Sequence, residues 1–402
     1  MSRINIRMRV FLLLVGAAVI LGAMLLARST QPPALSAEVI ALNSGDAAAG
    51  FARADHVRPF VYPDDQGPHP EYQTEWWYYT GNLETASGRH FGYQLTIFRR
   101  ALTPTLTTRE SDWATNQIYF AHFALTDVQA NEHFATERFS RGAAGLAGAT
   151  GNPHRVWLED WEINQVTLQT PSPGGAVSGA LPPSYALRLH AEDSGHALDL
   201  TLRSPKPPVL NGDRGLSQKS AAVGNASYYF SLTHLNTEGT LIENGKAFDV
   251  KGTSWMDQEF GTTSLGPQAV GWDWFSVQLG DGRELMLFHI RQKDGSIEPL
   301  SGGTLVNPDG STRHLQREEI NISVLDRWTS PATHATYPAR WLVAIPSANI
   351  DVTLRPYIPD QEMRVSFTYW EGAVEITGTS AGAPVKGSGY VELTGYAAPL
   401  AQ

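Results

Sequence analysis

Two antiparallel β-barrel domains behind an N-terminal hydrophobic segment are the architecture this sequence predicts, and three observations carry that expectation. The first is periodicity. From about residue 55 onward no long stretch has a helical repeat, and short runs instead place apolar residues at every second position. Tyr93, Leu95 and Ile97 form one such run, Tyr185, Leu187 and Leu189 another, and Leu198, Leu200 and Leu202 a third. The second is punctuation. Asp281-Gly282, Asp294-Gly295 and Pro308-Asp309-Gly310 are turn signals between runs, and glycine-rich stretches at 142–151 and 174–179 read as loops.

The third observation is an internal repeat, and it sets the number of barrels. Trp76-Trp77-Tyr78-Tyr79 runs to Leu83, turns at Gly88-Arg89 and returns through Tyr93-Gln94-Leu95-Thr96-Ile97 to Arg99. Trp272-Asp273-Trp274-Phe275 runs to Leu279, turns at Gly282-Arg283 and returns through Leu285-Met286-Leu287-Phe288 to Arg291. The match agrees with a chain of 402 residues, too long for one ordinary core. The expected organisation is a signal anchor or signal peptide at 1–28, and a linker rich in Ala, Ser and Pro at 29–54. A first barrel at 55–240 and a second at 241–402 follow.

Composition narrows the chemistry. A net charge of −10 supplies no basic surface for nucleic acid. The absence of cysteine excludes disulfides, thiolate metal sites, a cysteine nucleophile and a lipid-modified N-terminal cysteine. The twelve histidines show no paired spacing for zinc and no phosphate-cradling Gly-Lys motif is present, so neither a metal nor a cofactor is expected. Arg3, Arg7 and Arg9 precede an uncharged, mostly apolar run at 10–27. That pattern is a signal peptide or an uncleaved anchor, and either sends the remaining chain to the periplasm or another extracytoplasmic face.

The motifs resemble those of the AttH-type and carotenoid 1,2-hydratase (hydroxyneurosporene synthase) family. The resemblance begins at Glu75-Trp76-Trp77-Tyr78-Tyr79-Thr80-Gly81-Asn82-Leu83. It continues through His122-Phe123-Ala124-Leu125-Thr126-Asp127, Lys206-Pro207-Pro208-Val209-Leu210 and Ser227-Tyr228-Tyr229-Phe230-Ser231. Its centre is Gly252-Thr253-Ser254-Trp255-Met256-Asp257-Gln258-Glu259-Phe260-Gly261. Gly271-Trp272-Asp273-Trp274-Phe275, Tyr369-Trp370-Glu371-Gly372 and Gly389-Tyr390-Val391-Glu392-Leu393-Thr394-Gly395-Tyr396 complete the series. The resemblance implies two lipocalin-like barrels. It also implies a group that contains hydratases adding water to a terminal carotenoid double bond, beside relatives with no assigned reaction.

Hydrating an isolated alkene needs an acid of raised pKa, aromatic faces to hold a carbocation and an apolar pocket. Asp257 and Glu259 lie two apart, so on a strand they share a side with Trp255, and two neighbouring carboxylates raise one pKa. Asp257 and Glu259 are therefore the candidate catalytic residues. By resemblance Asp257 matches the aspartate suspected of delivering the proton. The alternative is a structural role, with these carboxylates paired to an arginine such as Arg99 or Arg291. Trp76, Trp77, Tyr78, Tyr228, Tyr229, Trp255, Trp272 and Trp274 are candidate ligand-binding aromatics, against a role in packing alone. Where the hydratases carry a His and Trp cluster, this chain has Tyr228-Tyr229-Phe230, with His234 nearest. Glu75 reads as a structural partner and His122 as a satisfied core histidine. The Gly378-Thr379-Ser380-Ala381-Gly382 match to a nucleophile elbow lacks its strand–turn–helix context. The expected function is an exported protein binding an apolar polyene or acyl ligand, with alkene hydration as the implied reaction. A non-catalytic lipid carrier, an accessory protein of an ABC-type transporter and a module docking on a membrane complex are the alternatives.

Overall fold

Apolar alternation becomes strand almost everywhere. The computed structural model describes residues 48–105, 109–167, 181–182, 185–262 and 265–399; the apolar run at 10–27 and the glycine-rich stretch at 174–179 lie outside them. Among the described residues no helix is long and apolar enough to cross a membrane.

The chain opens with β1 (Thr74–Glu84), β2 (His90–Ala101), β3 (Gln117–Asp127) and β4 (Glu132–Arg141). Five strands follow: β5 (Ala147–Thr150), β6 (Arg155–Leu158), β7 (Trp161–Thr167), β8 (Tyr185–Asp193) and β9 (His196–Arg203). The short β10 (Val209–Leu210) and β11 (Leu216–Gln218) precede the long hairpin β12 (Ala226–Glu243) and β13 (Lys246–Gly261). These form one antiparallel sheet in the order β4-β3-β2-β1-β13-β12-β9-β8-β7-β6-β5, with β10 and β11 on the flank of β12.

The second sheet holds β14 (Ala269–Leu279), β15 (Glu284–Gln292), β16 (Gly302–Val306), β17 (Thr312–Gln316) and β18 (Asn321–Thr329). It also holds β19 (Thr336–Ile345), β20 (Ile350–Pro356), β21 (Glu362–Arg364), β22 (Thr368–Ser380) and β23 (Ala383–Leu393). Its order is β17-β16-β15-β14-β23-β22-β20-β19-β18, with β21 on the flank of β22.

The two orders follow the same path, the first with two more strands at its far end, and the repeat hairpins start both. β1–β2 and β14–β15 turn through glycines of nearly equal left-handed φ, +83° at Gly88 and +85° at Gly282. In each sheet the first strand pairs with the last, β1 with β13 and β14 with β23. This pairing curls each sheet into a lipocalin-like barrel, and it moves the sheet boundary. The expected break at 240/241 falls inside the β12–β13 hairpin, whereas sheet membership changes between Gly261 and Ala269. β13 is claimed by the first sheet because all eleven residues of β1 pair along it.

The ladder does not close, so each sheet keeps edges at β4 and β5 or at β17 and β18. Side chains bridge the first seam. Arg138 on β4 bonds Asp160 and the Glu192 carbonyl, and Thr136 bonds Asp193 at 3.0 Å. Two expected irregular segments are ordered differently. Within 142–151, residues 147–150 form β5, because Gly148 lets the Trp157 ring lie where a Cβ would sit 2.5 Å away. The end of the expected linker is packed, with Ala54 buried against Tyr72, Tyr228 and Phe260. The sequence that mimicked a nucleophile elbow is the β22–β23 hairpin turn, with φ +52° at Ala381 and +81° at Gly382.

Each curled sheet is filled by its own apolar core. Trp77, Tyr79, Leu95, Phe123, Trp161 and Met256 belong to the first core. Phe275, Val277, Leu287, Trp341 and Trp370 belong to the second. Because side chains alternate, Trp76, Tyr78, Trp255 and Asp257 are turned to the outer face of the first sheet. There they meet the outer face of the second.

Candidate functional site

The layer between the two sheets is built from a small set of strands. β1, β12 and β13 supply Tyr78, Tyr229 and Trp255; β14, β15 and β23 supply Trp274, Met286, Phe288 and Tyr390. Trp76 and Trp272 pack on this cluster and remain partly exposed at its margin.

An approximate twofold axis relates the two faces, and cross-strand register fixes the correspondence. Tyr78 lies opposite Asp257, and its repeat counterpart Trp274 lies opposite Glu392. Tyr78 and Trp274 themselves meet edge to face with ring centroids 5.2 Å apart. Asn82 donates to the Gly389 carbonyl at 3.0 Å, and its counterpart Gln278 donates to the Ser254 carbonyl at 3.1 Å. Gly389 and Ser254 are counterparts in turn, opposite Val277 and Gly81. The contact is thus isologous, like that of a twofold dimer, within one chain.

Asp257 is 4% exposed and accepts three hydrogen bonds. Tyr229 Oη donates to Oδ2 at 2.6 Å, while Ser231 Oγ at 2.5 Å and Trp255 Nε1 at 2.8 Å donate to Oδ1. Trp274 Nε1 donates to Tyr229 Oη at 3.0 Å, extending the chain across the layer. Burial raises the pKa of Asp257, the three donors oppose the rise, and the Glu259 charge adds to it; the carboxyl is pushed up to about 7. Asp257 can therefore hold and deliver a proton near neutrality.

Glu259 has a different environment. It lies 3.1 Å from Lys219 Nζ and accepts from Ser227. The Lys219 ammonium also sits 4.5 Å from the Phe288 ring centroid and 5.1 Å from that of Tyr229. Glu259 is thus an ion-paired neighbour whose charge adds to the rise at Asp257.

The structure brings together Asp257, Glu259, Trp76, Tyr78, Tyr229, Trp255, Trp272 and Trp274. It separates two residues from them. Trp77 turns into the first core and donates to the Gln66 carbonyl at 2.9 Å. Tyr228 packs with Tyr72 and Phe260 on the other face of β12 and donates to the His56 carbonyl at 2.8 Å. Neither arginine considered as a partner reaches Asp257. Arg99 pairs with Glu75 at 3.1 Å and Arg291 with Asp273 at 2.9 Å. Glu75 is fully buried between Arg99 and His69. His122 is buried and bonded to Tyr369 Oη at 2.8 Å.

Sequence reasoning missed Ser231, Lys219, Glu371 and Glu392 as site residues. Glu371 is 1% exposed, accepts from Tyr78 Oη at 2.5 Å and lies directly across the ladder from Glu392. Burial and the mutual repulsion of the pair raise Glu371 well above the usual carboxylate range. Burial lifts Glu392 to about 8, against a hydrogen bond from Trp272. A signal for both was present: Trp255-Met256-Asp257, Tyr369-Trp370-Glu371 and Tyr390-Val391-Glu392 all set an aromatic two residues before an acid, on one strand face. Among the described residues no group of three or more His, Asp or Glu is placed to hold a metal ion. A surface recess at Leu102, Trp113, Asn116 and Arg141 shares no residue with this layer.

A family model described as AttH-like matches residues 53–396. The crystal structure of an AttH from Nitrosomonas europaea is 32% identical, with TM-score 0.73, covering 86% of this chain and 100% of that one. The structure of kievitone hydratase from Nectria haematococca is 16% identical, with TM-score 0.61 and coverage of 86% and 97%. That of CghA with Sch210972 is 12% identical, with TM-score 0.54 and coverage of 92% and 99%. The last two share the fold. No curated protein matches the sequence.

Proposed function

The chain belongs to the AttH-like family, and from that premise we propose that it is a hydratase-type enzyme acting on an apolar, alkene-bearing ligand seated between its two sheets. The observation that carries the reading is Asp257: a buried carboxyl with pKa near 7, surrounded by indole and phenol rings. Protonating an isolated alkene needs a neutral acid in a water-poor site, and the resulting cation is held by aromatic faces. Tyr78, Tyr229, Trp255 and Trp274 supply such faces. Apolar cores fill both barrels, which weighs against a lipocalin-type carrier. Kievitone hydratase has the same fold at low identity, which is compatible with hydration chemistry on this scaffold. Arg3, Arg7, Arg9 and the apolar run at 10–27 support an extracytoplasmic location for the reaction.

The test is turnover of an acyclic carotenoid in water enriched in the heavy oxygen isotope, followed by mass spectrometry. Wild-type protein should place labelled hydroxyl on a terminal isoprenoid unit. Asp257→Asn keeps the shape but not the acidity and should lower kcat by at least about 100-fold. Equal turnover by the two proteins would end the assignment of Asp257 as the acid.

A further inference from the structure

Adding water to an alkene takes two proton transfers, and the acid above accounts for one. The attacking water must also lose a proton. We infer that the Glu371–Glu392 pair receives it, so that each sheet contributes one half of the acid–base chemistry. This inference rests on the hydration reading.

The geometry makes the pair suitable. Glu371 and Glu392 are direct neighbours on β22 and β23, at a separation typical of facing side chains, about 5 Å between Cβ atoms. Two carboxyls so close in a buried layer cannot both ionise near neutrality, so the pair holds at least one proton, and as pH rises through about 8 one carboxylate becomes free to accept another. Tyr78 Oη holds Glu371 at 2.5 Å, and the Trp272 indole holds Glu392. Glu392 is the repeat counterpart of Asp257, so acid and base stand at corresponding points on the two faces of the layer.

A second observation points to a small polar guest beside the pair. Thr80 Oγ1, Gln94 Oε1 and Tyr390 Oη are buried and make no hydrogen bond within the protein. All three residues are about 1% exposed. Thr80 lies opposite Gln94 and two residues from Tyr78 on the same face of β1; Tyr390 lies two residues before Glu392 on β23. Orphaned polar atoms in an otherwise apolar layer are costly unless a partner such as water meets them.

The step balances. Asp257 gives its proton to one alkene carbon, whose π electrons form the new C–H bond and leave a cation on the other carbon. A lone pair on the water oxygen forms the C–O bond. The proton released from that oxygen passes to the free carboxylate of the Glu371–Glu392 pair. Asp257 is left ionised and the pair doubly protonated, and exchange with solvent through the partly exposed Glu392 restores both.

The experiment compares full-length wild type, Glu371→Gln and Glu392→Gln over the pH range, using an acyclic carotenoid in detergent micelles and recording kcat, KM and Tm. Both variants should lose at least about 100-fold in kcat with little change in KM. The wild-type rate should fall on the acid side as the pair takes its second proton, and that limb should be absent from Glu392→Gln. Glu392 is partly exposed, so its variant serves even if Glu371→Gln does not fold. Active wild type with a folded variant that keeps more than about a tenth of kcat, or keeps the acid limb, overturns the assignment of the pair. Wild type that hydrates nothing overturns the proposed function and this inference together, and is told apart because no form of the protein is then active.

Discussion

Replacing Asp257 with asparagine should stabilise the protein at pH 8 and destabilise it at pH 4.5. The carboxyl titrates near 3.8 in the unfolded chain and near 7 in the folded one. The native state therefore binds the proton more tightly. The stability linked to it is complete below about pH 4 and is lost as pH rises through 7. The difference, 7 − 3.8, or about 3.2, multiplied by 1.36 kcal/mol gives an upper limit of about 4 kcal/mol. Asparagine does not titrate and escapes this loss. In exchange, its carboxamide nitrogen faces one of the three donors from Tyr229, Ser231 and Trp255, at a cost of about 1–3 kcal/mol at every pH. The variant should be about 1 kcal/mol less stable than wild type at pH 4.5, where the unfolded carboxyl is already mostly ionised, and about 2 kcal/mol more stable at pH 8, by the same linkage. Urea unfolding at the two pH values measures this directly, provided the m-values agree. A variant equally destabilised at both, or more so at pH 8, would show that Asp257 is an ionised structural carboxylate and refute the reasoning.

Two further outcomes follow from the same geometry. Tyr229→Phe removes a hydrogen bond that lowers the pKa of Asp257, so the alkaline limb of kcat/KM should move to higher pH. Tyr228→Phe, on the opposite face of β12, should leave the profile where it was. Asn82→Ala and Gln278→Ala each delete one of the reciprocal contacts between sheets and should each cost about 1–3 kcal/mol in urea unfolding. The double variant should approach the sum, since the two contacts involve different partners. A loss confined to one of the pair would contradict the twofold description.

Much of the fold was legible because its information is local. Period-two apolar runs, turn glycines and the Trp76 and Trp272 hairpins are each written within a few residues, and together they specify antiparallel barrels and their number. Asp257 and Trp255 were legible for the same reason, since two residues apart on a strand means one face. That logic also shows why Trp77 and Tyr228 could not be sorted from Trp76 and Tyr229. Alternation says that neighbours face opposite ways, but not which way is inward.

The sequence by itself determined the class of structure, the tandem repeat and the presence of an aromatic-rich acidic motif. Tertiary structure alone decided that each barrel fills itself with its own core and turns the acids outward, because burial on the concave face depends on curvature that no local pattern records. It also decided that β13 belongs with β1, a pairing of strands about 180 residues apart that depends on sheet closure. Above all, it brought Asp257 and the Glu371–Glu392 pair into one layer. Their meeting follows from the near-twofold docking of two sheets, a property of whole surfaces rather than of any segment.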